Sequence, residues 1–151
     1  MNNPIKERAV EVFQVDGLEC YIVPSPCWIG FNGYALFPKR PVREVGYAGI
    51  ISYVPVHGGI TFAHECDDGI IYGFDTGHCD SGEYPINDKD WIKGQITIMI
   101  QGIKLAATLE DKYLRCKTNK GRAKYADKLL DLQRDQSRSF GVCLNLLSGK
   151  L

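Results

Sequence analysis

Long apolar runs are missing from this 151-residue chain. The longest near-continuous one, Ile96 to Ile100, falls far short of the ~20 residues that a membrane-spanning helix needs. The opening stretch, Met1 to Arg8, holds no apolar core, so no signal peptide is expected and a soluble protein of the cell interior is. Six cysteines occur without a single C-x-x-C, which removes support for a zinc ribbon or a thioredoxin-like redox pair. In a reducing compartment Cys20, Cys27, Cys66, Cys79, Cys116 and Cys143 are expected to be free thiols, most of them small buried hydrophobes. Internal repeats and low-complexity segments are also lacking. His64-Glu65-Cys66-Asp67 fails the H-E-x-x-H pattern of zinc proteases. Asp88-x-Asp90 fails as a calcium loop, because Ile92 stands where the third acidic residue belongs.

What is present is an ordinary globular composition, 44% hydrophobic and 24% charged, which excludes a wholly disordered chain. A chain of this length buries roughly two-thirds of its unfolded surface, so one domain over residues 1–151 needs no disulfide or metal merely to fold. Charge balances overall but not along the chain. Residues 1–90 carry 13 acidic and 6 basic side chains, and residues 91–151 carry 5 and 12, a split of −7 against +7. Either the halves attract one another, or one offers a charged surface to a partner.

From about residue 9 to 80 the pattern is β-rich. Val10, Val12 and Phe13 lead into Asp16-Gly17, a strong hairpin signal, and Leu18 to Val23 follow. Ile29 to Phe37 reads as a strand in which Gly30 and Gly33 mark a bulge or a close backbone approach. Gly46 to Val54 fits a strand or a short helix. Ile60 to His64 and Ile70 to Phe74 read as strands around an Asp67-Asp68-Gly69 turn. From about 87 to 147 the pattern is helical. Asn87 is the expected N-cap, with Asp90 in the capping-box position and Ile86 and Trp91 as a hydrophobic staple. Ile92, Ile96, Met99, Ile103 and Ala106 make one apolar face to about Arg115, while Ile98 and Ile100 fall off it and imply a second contact surface. Asn119-Lys120-Gly121 reads as a turn, Arg122 to Arg134 as a second helix, and Ser139 to Leu147 as a short third. Strands followed by helices predict an α+β fold, an antiparallel sheet packed by C-terminal helices.

Polar residues able to bind a ligand gather between His57 and Asp80, and all three histidines lie there. With Asp67-Asp68 at the turn centre, residues whose numbers sum to about 135 face each other. Ile60 then faces Asp75, and His57 faces His78. The register brings His57, Asp75, His78 and Asp80 to one end of the sheet, with Gly58, Gly59, Thr61 and Thr76 among them. Three readings stay open. Two imidazoles and two carboxylates suit zinc or manganese, although their spacing matches no standard motif. Backbone N–H groups at Gly58, Gly59 and Gly77 suit an anion, with the histidines as hydrogen-bond partners. Alternatively, turn capping and positive-φ glycines account for the whole cluster structurally. No metal or cofactor is assigned. A second surface is the basic tail from about residue 115: Arg115, Lys117, Lys120, Arg122, Lys124, Lys128, Arg134 and Arg138, with Tyr113 and Tyr125 between them. Asp127, Asp131 and Asp135 interrupt it at helical spacing, which favours a solvated, ion-paired face over nucleic acid.

Four segments carry a resemblance: Gly33-Tyr34-Ala35-Leu36-Phe37-Pro38; Val56-His57-Gly58-Gly59-Ile60-Thr61-Phe62; Gly73-Phe74-Asp75-Thr76-Gly77-His78-Cys79-Asp80; and Asp88-Lys89-Asp90-Trp91-Ile92. In order and spacing, over about residues 10–105, the chain resembles a family of small uncharacterised phage and prophage proteins. It departs from that family in the placing of Asp80 directly after Cys79 and in the basic tail. The resemblance implies a phage-derived accessory protein in the cytoplasm of a bacterial host, and small proteins of that kind often bind defence components or signalling nucleotides. Two function classes follow. One is a binding module of anti-defence type that captures a host protein or a phosphate-bearing small molecule. The other is a small hydrolase, with or without metal, acting on a nucleotide or amide, with His57 or His78 as general base and Asp75 orienting it.

Overall fold

Two residues with left-handed backbone start the sheet. Asp16 (φ 50°) and Gly17 (φ 77°) form the two-residue turn that matches the natural twist of paired strands. The turn joins β1 (Glu11–Val15) to β2 (Leu18–Pro24), with Val15 opposite Leu18 and Glu11 opposite Ile22. The computed structural model describes residues 2–26, 29–43, 49–77 and 83–134. Within them β3 (Phe31–Phe37), β4 (Phe62–Cys66) and β5 (Gly69–Phe74) complete a five-stranded antiparallel sheet of order β1-β2-β3-β5-β4. The helices α1 (Lys89–Arg115) and α2 (Asn119–Arg134) follow, which makes the fold α+β as the sequence pattern predicts. No helix among the described residues is long and apolar enough to cross a membrane.

Alternation assigns the two sheet faces. Cys20, Ile22, Ala35, Phe37, Ile70, Tyr72 and Phe74 point to one face, where they pack with Ile92, Ile96, Met99, Ile100, Ile103 and Ala106 of α1 and Leu132 of α2. Tyr21, Val23, Tyr34, Leu36 and Ile71 point to the other and pack with Ile5 of the N-terminal segment. Asn3 fastens that segment. Its Oδ1 accepts the Ile5 and Lys6 N–H groups, and its Nδ2 donates to the Tyr21 hydroxyl at 2.8 Å. Tyr21 donates in turn to Glu19 at 2.5 Å, and Lys6 bridges to the same carboxylate at 2.9 Å.

Gly33 is a close approach rather than a bulge, because its pairing runs unbroken to Ile22 and Phe74. A Cβ there would fall 2.5 Å from Phe74 Cε1 and 2.7 Å from Ile96 Cγ1, so its lack of a side chain lets α1 sit down on the sheet. Gly102 plays the same part farther along α1, against Val54 and Pro55. These two residues follow the short 3₁₀ helix Gly49–Tyr53, so the described part of the Gly46 to Val54 segment is helical and not a strand. The buried Ile98 and Ile100 bear out a helix with more than one covered side.

Two helix starts differ from the sequence reading. Asp88, not Asn87, caps α1: its side chain accepts the Asp90 N–H at 2.8 Å. The Asp88 N–H meets the Pro85 carbonyl and closes a turn over Ile86 and Asn87, which moves Ile86 and Trp91 off the staple positions. The second helix begins at Asn119 rather than Arg122, since the Thr118 hydroxyl accepts the Gly121 N–H and its carbonyl the Arg122 N–H. The proposed third helix over Ser139 to Leu147 lies outside the described residues. Opposite charges of the two chain halves meet between the first hairpin and α1, where Glu11 pairs with Lys93 and Asp16 with Lys104; Lys89, of the same half as Glu11, reaches it too.

Candidate ligand site at the end of the sheet

The β4–β5 register obeys the sum of 135: Phe62 faces Gly73, and Cys66 faces Gly69. One step beyond the ladder, the Thr61 N–H donates to the Gly73 carbonyl at 3.0 Å, and its Oγ1 accepts the Asp75 N–H at 3.2 Å. Asp75 then folds its carboxylate back onto the Gly77 N–H at 2.8 Å, an Asx turn that fixes the chain leaving β5. Between them Thr76 is fully buried. Its N–H donates to Asn32 Oδ1 at 3.1 Å, and its hydroxyl lies where a Cβ on Gly30 would intrude.

On the entering side, Gly58 (φ 69°) and Gly59 (φ 80°) adopt backbone that other residues rarely take, and the Gly59 N–H closes a turn on the Val56 carbonyl at 2.8 Å. That turn lifts His57 onto the start of α1. The His57 N–H donates to Gln95 Oε1 at 3.0 Å, and its ring stands edge-on to Trp91 at 5.3 Å and to Tyr84 at 4.8 Å. Tyr84 and Trp91 are 5.9 Å apart and tilted by 32°, which closes a triangle of three rings. Trp91 and Gln95 are one helical turn apart and therefore share a face of α1. Tyr84 comes from the segment whose Ile86 carbonyl accepts the Phe31 N–H, tying it to the first residue of β3.

The structure thus gathers His57, Gly58, Gly59, Thr61, Asp75 and Thr76 at one end of the sheet beside the N-terminus of α1. His78, Cys79 and Asp80 lie outside the described residues, as does Trp28. Of the three glycine N–H groups that could have met an anion, those of Gly59 and Gly77 are engaged within the protein. Among the described residues no group of three His, Cys, Asp or Glu side chains is placed to hold a metal. Sequence reasoning missed Tyr84, Gln95 and Asn32 and read Trp91 as part of a hydrophobic staple. Only the 91/95 spacing could have hinted at a shared role.

Two other surfaces compare poorly. An open cavity of about 460 Å³ lies elsewhere, lined in part by Arg40, Val42, Arg43, Glu110, Asp111 and Leu114. Part of its charge is answered internally: Arg40 pairs with Glu65 and Asp111 with Arg115 at 2.9 Å, while Glu110 accepts the backbone N–H of Arg43 at 3.1 Å. On α2 carboxylates enter the basic run at Asp127 and Asp131, and Arg134 meets Asp131 at 3.3 Å. Such exposed pairs are worth ~0–1 kcal/mol and describe a solvated helix face. Compared with family models, curated proteins and solved structures, the chain matches none.

Proposed function

We propose that this protein is a phage-derived accessory protein of the bacterial cytoplasm, a binding module of anti-defence type that captures a host component at the sheet end carrying His57, Asp75 and the rings of Tyr84 and Trp91. The observation that carries this reading is the setting of His57. Its ring stands edge-on to Tyr84 and Trp91 while its backbone N–H is held by Gln95, which builds it into an aromatic surface at the end of the sheet. Tyr84, 43% exposed, presents that surface to solvent. The engaged Gly59 and Gly77 N–H groups favour a protein over a phosphate-bearing small molecule among the ligands of such a module.

The test is affinity capture with the full chain from bacterial lysate, read by native mass spectrometry for stoichiometry and bound small molecules. The expected result is one partner at fixed stoichiometry, lost with His57→Ala and kept when Arg122, Lys124 and Lys128 are neutralised. Retention by His57→Ala with loss on neutralising the tail would refute the assignment.

A further inference from the structure

Acidic side chains flank Tyr84 and Trp91 along the chain. Glu83, Asp88 and Asp90 are exposed, and Asp75 is half-buried at the mouth of β5. The two lysines of this end turn toward β1, although Lys93 also feels the Asp90 charge. Lys89 and Lys93 both reach Glu11, where Lys89 lies over the Phe31 ring at 5.7 Å and Lys93 over the Phe13 ring at 5.1 Å. Among the described residues no cation covers Tyr84 or Trp91, and neither Glu83 nor Asp90 makes an ion pair. Ile29, 88% exposed, adds an apolar contact beside Gly30, whose own Cβ would fall 3.1 Å from Ile86 Cβ.

We infer that this end is a docking surface for an arginine- or lysine-bearing segment of a partner protein. The inference deepens the binding-module reading above and rests on it. The ring faces are electron-rich, so a guanidinium or ammonium stacks on Tyr84 or Trp91 while its charge is met by the surrounding carboxylates. Arginine fits best, because its planar fork can lie on a ring and still donate to a carboxylate at its edge. An acidic segment would instead meet the like charge of the exposed Glu83 and Asp90. Ile29 and the exposed part of Tyr84 supply the apolar contact that fixes register, and the carboxylates steer the approach. The −7 balance of residues 1–90 therefore has a local use at this end, beyond the pairing of β1 with α1.

The probe is an arginine–glycine octapeptide, (Arg-Gly)4, titrated into the isotopically labelled full chain at low salt, with (Glu-Gly)4 and inorganic phosphate in parallel. Saturable shifts are expected at the Trp91 indole and at Tyr84 with the arginine peptide alone. Asp90→Asn and Tyr84→Ala should each weaken binding about threefold or more, whereas Asp68→Asn, in the turn at the opposite end of β4 and β5, should leave it unchanged. Equal weakening by Asp68→Asn would reduce the effect to unspecific attraction and overturn the inference. Shifts at Gly58 and Gly59 with phosphate and none with the arginine peptide would also overturn it, while leaving a ligand site in place. Silence to all three probes rejects a basic partner segment. If His57→Ala still abolishes capture from lysate in that case, the module reading stands without the inference.

Discussion

Replacing Gly33 and Gly94 by alanine should move stability in opposite directions, although both changes add one methyl group. At Gly33 the new Cβ would lie 2.5 Å from Phe74 Cε1 and 2.7 Å from Ile96 Cγ1, both on fully buried side chains. Neither neighbour can swing into solvent, so β3, the Phe74 ring or α1 must shift. Overpacking of this kind costs about 1–3 kcal/mol. At Gly94 an added Cβ meets nothing within 4 Å, and the residue sits inside α1. Alanine there removes the helix penalty of glycine and should stabilise by up to about 1 kcal/mol. For a domain of this size each kcal/mol moves the thermal midpoint by roughly 2–8 °C, so calorimetry separates the two variants easily. The Gly33 change should also disturb the candidate site, because Ile96 follows directly on Gln95, which holds the His57 N–H. Weaker near-ultraviolet circular dichroism from Trp91 would report that loosening. A Gly33→Ala protein as stable as the parent would refute the close seating of α1 on the sheet.

Further outcomes follow from the same contacts. Asp88→Ala should cost about 1 kcal/mol in urea unfolding, the usual worth of a lost N-cap, whereas Asn87→Ala should cost little. The Tyr21 hydroxyl and then Lys6 hold the Glu19 carboxyl below its ordinary value of 4.5. That contribution to stability is complete above pH 4.5 and lost as pH falls through the lowered value, so Glu19→Gln should flatten the acid limb of a stability–pH curve. Cys20, Cys66 and Cys116 are free thiols. Burial pushes Cys20 up to about 12, so it should be the slowest of the three toward iodoacetamide, and a faster Cys20 would contradict its burial.

The sheet was legible because its signals are local and mutually consistent. Asp16-Gly17 specifies a tight turn, and Asp67-Asp68-Gly69 sets a register that alternation then enforces, since a one-residue slip would turn Ile71 and Tyr72 to the wrong faces. The strand order was not legible, because placing the β4–β5 hairpin with β5 against β3 depends on packing across a long connection. The helix starts slipped by one and by three residues for a common reason. Neighbouring polar residues competed as caps, and the choice between Asn87 and Asp88 falls to a turn closed by the Pro85 carbonyl. The histidine–glycine half of the site could be found from the register. Tyr84, Trp91 and Gln95 could not, because no pairing rule links them to His57; they meet it only through the docking of α1.

The most direct measurement is hydrogen–deuterium exchange on the complex recovered by capture, compared with the free protein. The account predicts new protection over residues 56–61 and 84–91, with residues 117–128 of the basic region unchanged. Protection confined to 117–128, with none at 56–61, would contradict it and move the working surface to α2.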